Sequence, residues 1–206
     1  MEVTIVGRPA GFDRQDVISA AERQFRRAGY EGTSIDDLVE ATGLGRGSLY
    51  AAFGGKHQMY LEALDRYCLD YEESLDDALG GSDEGAYGRL QAYLANPEHC
   101  ALQAGEYLVC MAGRSAMELG SCDVDVTSRV DRNFTVLESA LREAIEAAQR
   151  AGDFDRDADA GDAATVILVL LKGIDIVART GRSPEDLRPL VGAVMDRFAT
   201  HRLAFA

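Results

Sequence analysis

The sequence predicts an all-α protein of about nine helices, with a three-helix N-terminal unit followed by a helical bundle. Three observations carry that reading. Apolar residues recur at intervals of three and four along most of the chain, and no stretch alternates apolar with polar residues for long enough to make a strand. Two short amphipathic segments flank Thr42-Gly43-Leu44. Residues 163–171 are apolar on every face, yet too short to cross a bilayer, so protein must cover them on all sides.

The first helix starts at Phe12-Asp13. Asp13 is a capping side chain, Asp16 sits at the third helical position, and Phe12 can staple onto Val17. Ile18, Ala21, Phe25 and Ala28 form its buried stripe, and Gly29 ends it. The second helix follows Thr33-Ser34, with Ile35, Leu38 and Val39 on one face. The third carries Leu49, Ala52 and Phe53. Gly43 can take the left-handed conformation that stops the second helix, and Leu44 can drop between the two. Two short helices crossed in this way are a helix-turn-helix, whose second helix enters a DNA major groove. That helix opens with Gly45-Arg46-Gly47-Ser48, small enough for its backbone to approach a base edge or a phosphate.

After Gly54-Gly55 a long helix is expected from Lys56 to Leu79. Leu61, Leu64, Cys68, Tyr71, Leu75 and Leu79 make its stripe, and Gly80-Gly81 ends it. It begins in the N-terminal unit and finishes in the bundle, so it links the two mechanically. His57 reads as a surface residue. The next helix carries Tyr87, Leu90 and Leu94 and stops at Asn96-Pro97. Another is expected from about Leu102 to Leu119, and a third carries Val130, Phe134, Leu137, Leu141, Ile145 and Ala148 up to Gly152. Asp153-x-Asp155-x-Asp157-x-Asp159 suggests a calcium loop, but Ala158 and Ala164 stand where the turn glycine and the bidentate glutamate belong. The loop instead reads as solvated and able to cap a helix. Ser183-Pro184-Glu185-Asp186 starts a final helix with the stripe Leu187, Leu190, Val191, Val194, Met195 and Phe198.

Residues 8–64 resemble the DNA-binding domain of the TetR family of bacterial transcriptional regulators. The resemblance rests on Gly29-Tyr30-x-x-Thr33-Ser34, Thr42-Gly43-Leu44, Gly47-Ser48-Leu49-Tyr50-x-x-Phe53 and Lys56. Two departures are visible: Gly45 stands where a serine or threonine usually caps the recognition helix, and Val39 where alanine is common. The rest of the chain is similar to the family in length and helical plan, not in motifs. The resemblance implies a DNA-binding domain over residues 1–56 and a ligand-binding and dimerisation domain over 57–206. It also implies that the last two helices pair with those of a second copy in a four-helix interface. Ile167, Val169, Leu170, Ile174, Leu187, Val191, Val194 and Phe198 are the expected contacts, with burial inside one protomer as the alternative.

The partners expected are a double-stranded DNA operator, a second copy of the chain and a small-molecule effector. On the DNA side, Arg46 can reach base edges, while Thr33, Ser34, Ser48, Tyr50 and Lys56 can reach phosphates beside the bare backbone of Gly47. Arg8, in Gly7-Arg8-Pro9, resembles a basic arm laid along a phosphate backbone or minor groove, and the segment fits a frayed terminus equally well. The formal charge of −14 runs against such a partner, but residues 1–60 hold seven Lys/Arg against eight Asp/Glu, so the acidity lies in the body. An acidic body helps to orient a nearly neutral head toward DNA, and it also simply keeps a protein soluble.

For the effector, Tyr67, Tyr71, Tyr93, Tyr107, Cys110, Met111, Arg114, Met117, Phe134 and Leu137 are apolar or amphipathic side chains on helices that can enclose a cavity. Arg114 is the anchor expected for an acidic or carbonyl group. For each of the tyrosines and methionines, taken alone, ordinary core packing is the better explanation. The four cysteines show no C-x-x-C spacing, and a cytoplasmic location, the one expected, keeps them reduced. Cys110 or Cys100 acting as a thiol sensor is the second regulator reading. No nucleophile–base pair, phosphate loop or metal-ligand spacing marks an enzyme, and no cofactor is expected. No run of 18 apolar residues spans a membrane.

Overall fold

The computed structural model describes residues 12–96, 102–103, 106–107, 110–178, 180, 182, 189–190 and 192–195. Arg8, Cys100, Leu187, Val191 and Phe198 lie outside them, and so does the side chain of Tyr107. The elements in order are α1 (Arg14–Ala28), α2 (Ile35–Thr42), α3 (Arg46–Phe53), α4 (Lys56–Leu79), α5 (Ala86–Ala95), β1 (Leu102–Gln103), β2 (Glu106–Tyr107), α6 (Met111–Leu119), α7 (Val124–Ala151) and α8 (Ala160–Ala178). Residues 189–190 and 192–195 are helical where the sequence places the last helix.

The caps fall where the side chains require them. Asp13 accepts the Gln15 amide and starts α1. Ser34 and Asp37 form a reciprocal capping box at α2, each binding the other's backbone amide. Gly43 closes α2 at φ 70°, a conformation that costs a side-chain-bearing residue dearly. Gly45 caps α3 without a side-chain bond. Asp159 Oδ1 accepts the Asp162 amide, so the aspartate-rich loop does supply a cap for α8.

One expected element is corrected. The helix anticipated from about Leu102 begins only at Met111, capped by Cys110. Ahead of it, Leu102–Gln103 pairs antiparallel with Glu106–Tyr107. A glycine at position 105 is a poor residue for the interior of a helix expected to run through it.

The chain builds two cores that meet along α4. The head core joins Ile18, Phe25, Leu38, Leu49 and Phe53 to Met59, Tyr60 and Leu64 of α4, and it reaches into the body through Met111, Leu119 and Val126. The body core gathers Leu75 and Leu79 of α4 with Leu90, Tyr93, Leu137, Leu141, Ile145, Ile167 and Ile174. Met111 and Leu137, proposed from the sequence as ligand contacts, are fully buried in these two cores. Truncating such a side chain leaves a void that close-packed neighbours only partly fill. Leu141→Ala is therefore expected to destabilise the fold by about 2–5 kcal/mol, against about 0.5–2 kcal/mol for Ser34→Ala at the capping box, in denaturant unfolding.

Candidate DNA-binding face and effector cavity

Ser34 is exposed at the start of α2, and Arg46, Gly47, Ser48 and Tyr50 are exposed on α3. The α3 backbone is open here: a Cβ built on Gly45 or Gly47 would meet nothing within 4 Å. Arg46 is 60% exposed and pairs with Asp36 on α2 at 2.5 Å. The carboxylate raises the arginine's pKa and holds the guanidinium over the start of α3.

Two expected phosphate contacts are occupied inside the protein. Thr33 is buried, and its hydroxyl donates to Gly29 O at 2.6 Å. Lys56 Nζ donates to Tyr30 O at 2.8 Å and Thr33 O at 2.9 Å, over the Tyr30 ring at 4.1 Å. Both side chains brace the α1–α2 connection, which sets where α2 and α3 begin.

In the body, a cavity of about 150 Å³ is lined by Cys110, Gly113, Ala116, Met117, Phe134, Lys172, Asp175 and Ile176. Of the ten residues expected there, Cys110, Met117 and Phe134 line it. Tyr67 reaches its edge through a hydroxyl that donates to Cys110 Sγ at 3.5 Å. Tyr71 and Tyr93 instead bond to each other at 2.7 Å, and burial pushes both phenols up.

Arg114 is corrected most. It turns away from the cavity: Nε donates to Glu118 Oε1 at 2.6 Å, Nη1 to the carbonyls of Arg26 and Arg27, and Nη2 to Ala28 O at 2.6 Å.

The cation that does face Cys110 is Lys172, whose Nζ lies 3.3 Å from the sulfur and 3.3 Å from Asp175 Oδ2. Burial alone would lower its pKa. Cys110 and Asp175 outweigh that and hold it above the ordinary lysine range. Gly113 N, at the start of α6, also donates to Cys110 Sγ at 3.4 Å. Three donors thus converge on one sulfur at the start of α6. Burial pushes the Cys68 thiol up to about 12. The spacing of Lys172 gives no reason to pair it with Cys110. The one sequence signal is that Lys172 and Asp175 stand in an otherwise apolar run, where charges are rarely buried without partners.

Residues 17–63 match the model of bacterial regulatory proteins of the tetR family, and residues 86–194 match that of the tetracyclin repressor-like C-terminal domain. The chain belongs to the TetR family. Its members are DNA-binding regulators of transcription. Among relatives, the HTH-type transcriptional repressor ComR of Escherichia coli is 28% identical, covering 92% of this chain and 90% of ComR. The reduced form of E. coli NemR superposes with a TM-score of 0.80 at 22% identity, covering 92% of this chain and 98% of NemR. A cysteine mutant of the TetR-family regulator CifR, complexed with 26 bp double-strand operator DNA, gives 0.74 at 26%, covering 93% and 100%. No described helix is long and apolar enough to cross a membrane.

The TetR-type head is also pinned to the body by His57, whose Nε2 meets Asp123 Oδ2 at 2.6 Å, so His57 is more than a surface residue. Asp123 caps α7 as well, accepting the amides of Asp125 and Val126. The bond to His57 is the main reason its carboxyl titrates below the usual carboxylate range. A carboxyl lowered on folding stabilises the native state above its unfolded pKa, and that contribution is lost as pH falls through the folded value. Asp123→Ala is therefore expected to lower Tm at neutral pH, at a cost of about 0.5–2 kcal/mol for the cap. Its difference from wild type is expected to narrow below about pH 3.9. Thermal unfolding across that range measures it, and a gap independent of pH would contradict the assignment.

Proposed function

We propose that this chain is a homodimeric transcriptional repressor that reads a palindromic operator through α3 and releases it when a small molecule enters the body cavity. The domains then divide as the sequence suggests, with DNA binding over residues 1–56 and effector binding and dimerisation over 57–206. The observation that carries the reading is the open start of α3, with Arg46 braced by Asp36 beside bare backbone at Gly45 and Gly47. Arg46 makes the base contact, while Ser34, Ser48 and Tyr50 position the phosphates. Lys56 acts mainly by holding the α1–α2 connection. ComR is named a repressor, and the CifR complex holds operator DNA.

The second copy follows from α8. Ile167 and Ile174 are buried in the protomer's own core. Val169 is 64% exposed, and Val166 and Ile176 are exposed beside it at helical spacing, with Leu190 exposed on the following segment. A row of large apolar side chains left in water favours burial against a partner. A dimer also supplies the spacing of about 34–36 Å, or a multiple, at which two recognition helices read one palindrome. The cavity lies below the roughly 300 Å³ of an ordinary drug-sized site, so it suits a small, largely apolar effector.

Duplexes selected from a random pool are the test. Wild type is expected to enrich one palindrome. Arg46→Ala is expected to lose about 1–3 kcal/mol of discrimination. Val169→Glu is expected to yield a monomer in light scattering, because it buries an unpaired charge at the interface. Enrichment of no palindrome, or a wild-type monomer at micromolar concentration, would sink the reading.

Cys110 supports a second reading, in which the effector is an oxidant or electrophile that modifies the thiol. The converging Lys172, Tyr67 and Gly113 donors favour it. On this reading iodoacetamide modifies Cys110 well before Cys68, which is partly buried with its thiol pushed up to about 12, and modification releases operator from wild type but not from Cys110→Ser. Release that is equal in both proteins would leave the reversible effector alone.

A further inference from the structure

Helix α6 has two working faces. Gly113, Ala116 and Met117 line the cavity, together with the capping Cys110. Arg114, Ser115 and Glu118, on the other side of the same turns, hold the DNA-binding head. Arg114 spreads over the carbonyls of Arg26, Arg27 and Ala28, which are among the last four of α1. The last carbonyls of a helix lie beyond its regular bonding ladder and carry the negative end of its dipole, so a guanidinium answers both needs. Glu118 is gripped by Arg114 through one oxygen and accepts the Tyr30 amide at 2.7 Å through the other. Ser115 Oγ meets Tyr60 of α4 at 2.6 Å.

The clasp also explains a glycine. Gly29 sits between the two side chains at φ 83°, and a Cβ there would lie 2.2 Å from Glu118 Oε1 and 2.5 Å from Arg114 Nε. A helix stop alone would need a left-handed residue. The close approach of two side chains from elsewhere in the fold requires that the residue be bare.

We infer that Arg114 and Glu118 are positioning residues for DNA binding: they fix α1, and with it α2 and α3, relative to the body, and they carry changes at the cavity to the head. The cavity's role as the effector site rests on the function proposed above; the clasp itself does not. A compound wedged against Gly113 and Met117 pushes α6, and the other face of α6 pulls on the end of α1. Arginine suits the task because its fork reaches three carbonyls and a carboxylate at once. Lysine offers a single point charge.

Gly113→Leu replaces the unidentified effector with a built-in side chain. A Cβ at Gly113 makes ordinary contacts, the nearest being Cys110 Sγ at 3.7 Å, and the rest of leucine extends into the cavity. Hydrogen exchange over residues 26–33 and the affinity for a selected operator are read in wild type, Gly113→Leu, Arg114→Ala and the double variant. Gly113→Leu is expected to speed exchange over 26–33 and weaken operator binding about tenfold, within the usual range for coupled sites. In the Arg114→Ala background, where exchange is already fast, it is expected to change neither by more than about twofold, since neighbours in one network are not additive. Arg114→Lys is expected to fall between wild type and alanine. If Gly113→Leu does not fold, Ala116→Leu takes its place.

Equal effects of the leucine in both backgrounds would overturn the inference, because the signal would then bypass the clasp. So would unchanged exchange over residues 26–33 in the single leucine variant. Failure of wild type to select any operator would count against the proposed function only, since the exchange measurement needs no DNA.

Discussion

The constraint on which the rest of the structure depends is the continuity of α4. Its 24 residues make a rod about 36 Å long, with no glycine or proline inside it to give way. Met59, Tyr60, Leu61, Ala63 and Leu64 are buried near its start, and Leu75 and Leu79 near its end. One rigid element thus belongs to both cores, and the head cannot turn far about the body without breaking one of them. Close-packed interiors do not deform smoothly, so movement passes between discrete arrangements.

A rod alone leaves rotation about its own axis, and the contacts beside it remove that freedom. His57 meets Asp123 at the start of α4, Tyr60 meets Ser115 one turn later, and Arg114 and Glu118 hold the end of α1. Arg129 adds an ion pair with Asp65 farther along. Most of these are polar and partly exposed, so each is individually weak and open to competition from water. A regulator needs that balance. Its apolar cores keep the parts intact while a set of modest polar contacts chooses their orientation.

What was legible in the sequence follows the range of the interactions. Caps and stops are local, so Asp13, Ser34, Gly43, Gly80 and Gly152 mark helix boundaries that the structure keeps. The all-helical class rests on periodicity and was equally readable, as was the helix-turn-helix. The hairpin before α6 was not, because two-residue strands are too short to leave a pattern. In the cavity, Cys110, Met117 and Phe134 could be named because apolar helical residues point inward. Lys172 could not, because its partner is 62 residues away. Arg114 shows the same limit. Its position on an apolar helix suggested a ligand anchor, whereas its partners are carbonyls of residues 26–28, invisible to any reading of side-chain types.

The account turns on α3 being the surface that meets DNA, in two copies held by α8. A crystal structure of the dimer on its selected palindrome tests this most directly. The account predicts one α3 in each of two successive major grooves, Arg46 on base edges, and the exposed Val166, Val169 and Ile176 buried between the copies. DNA lying against another surface, with α3 free in solvent, would contradict it.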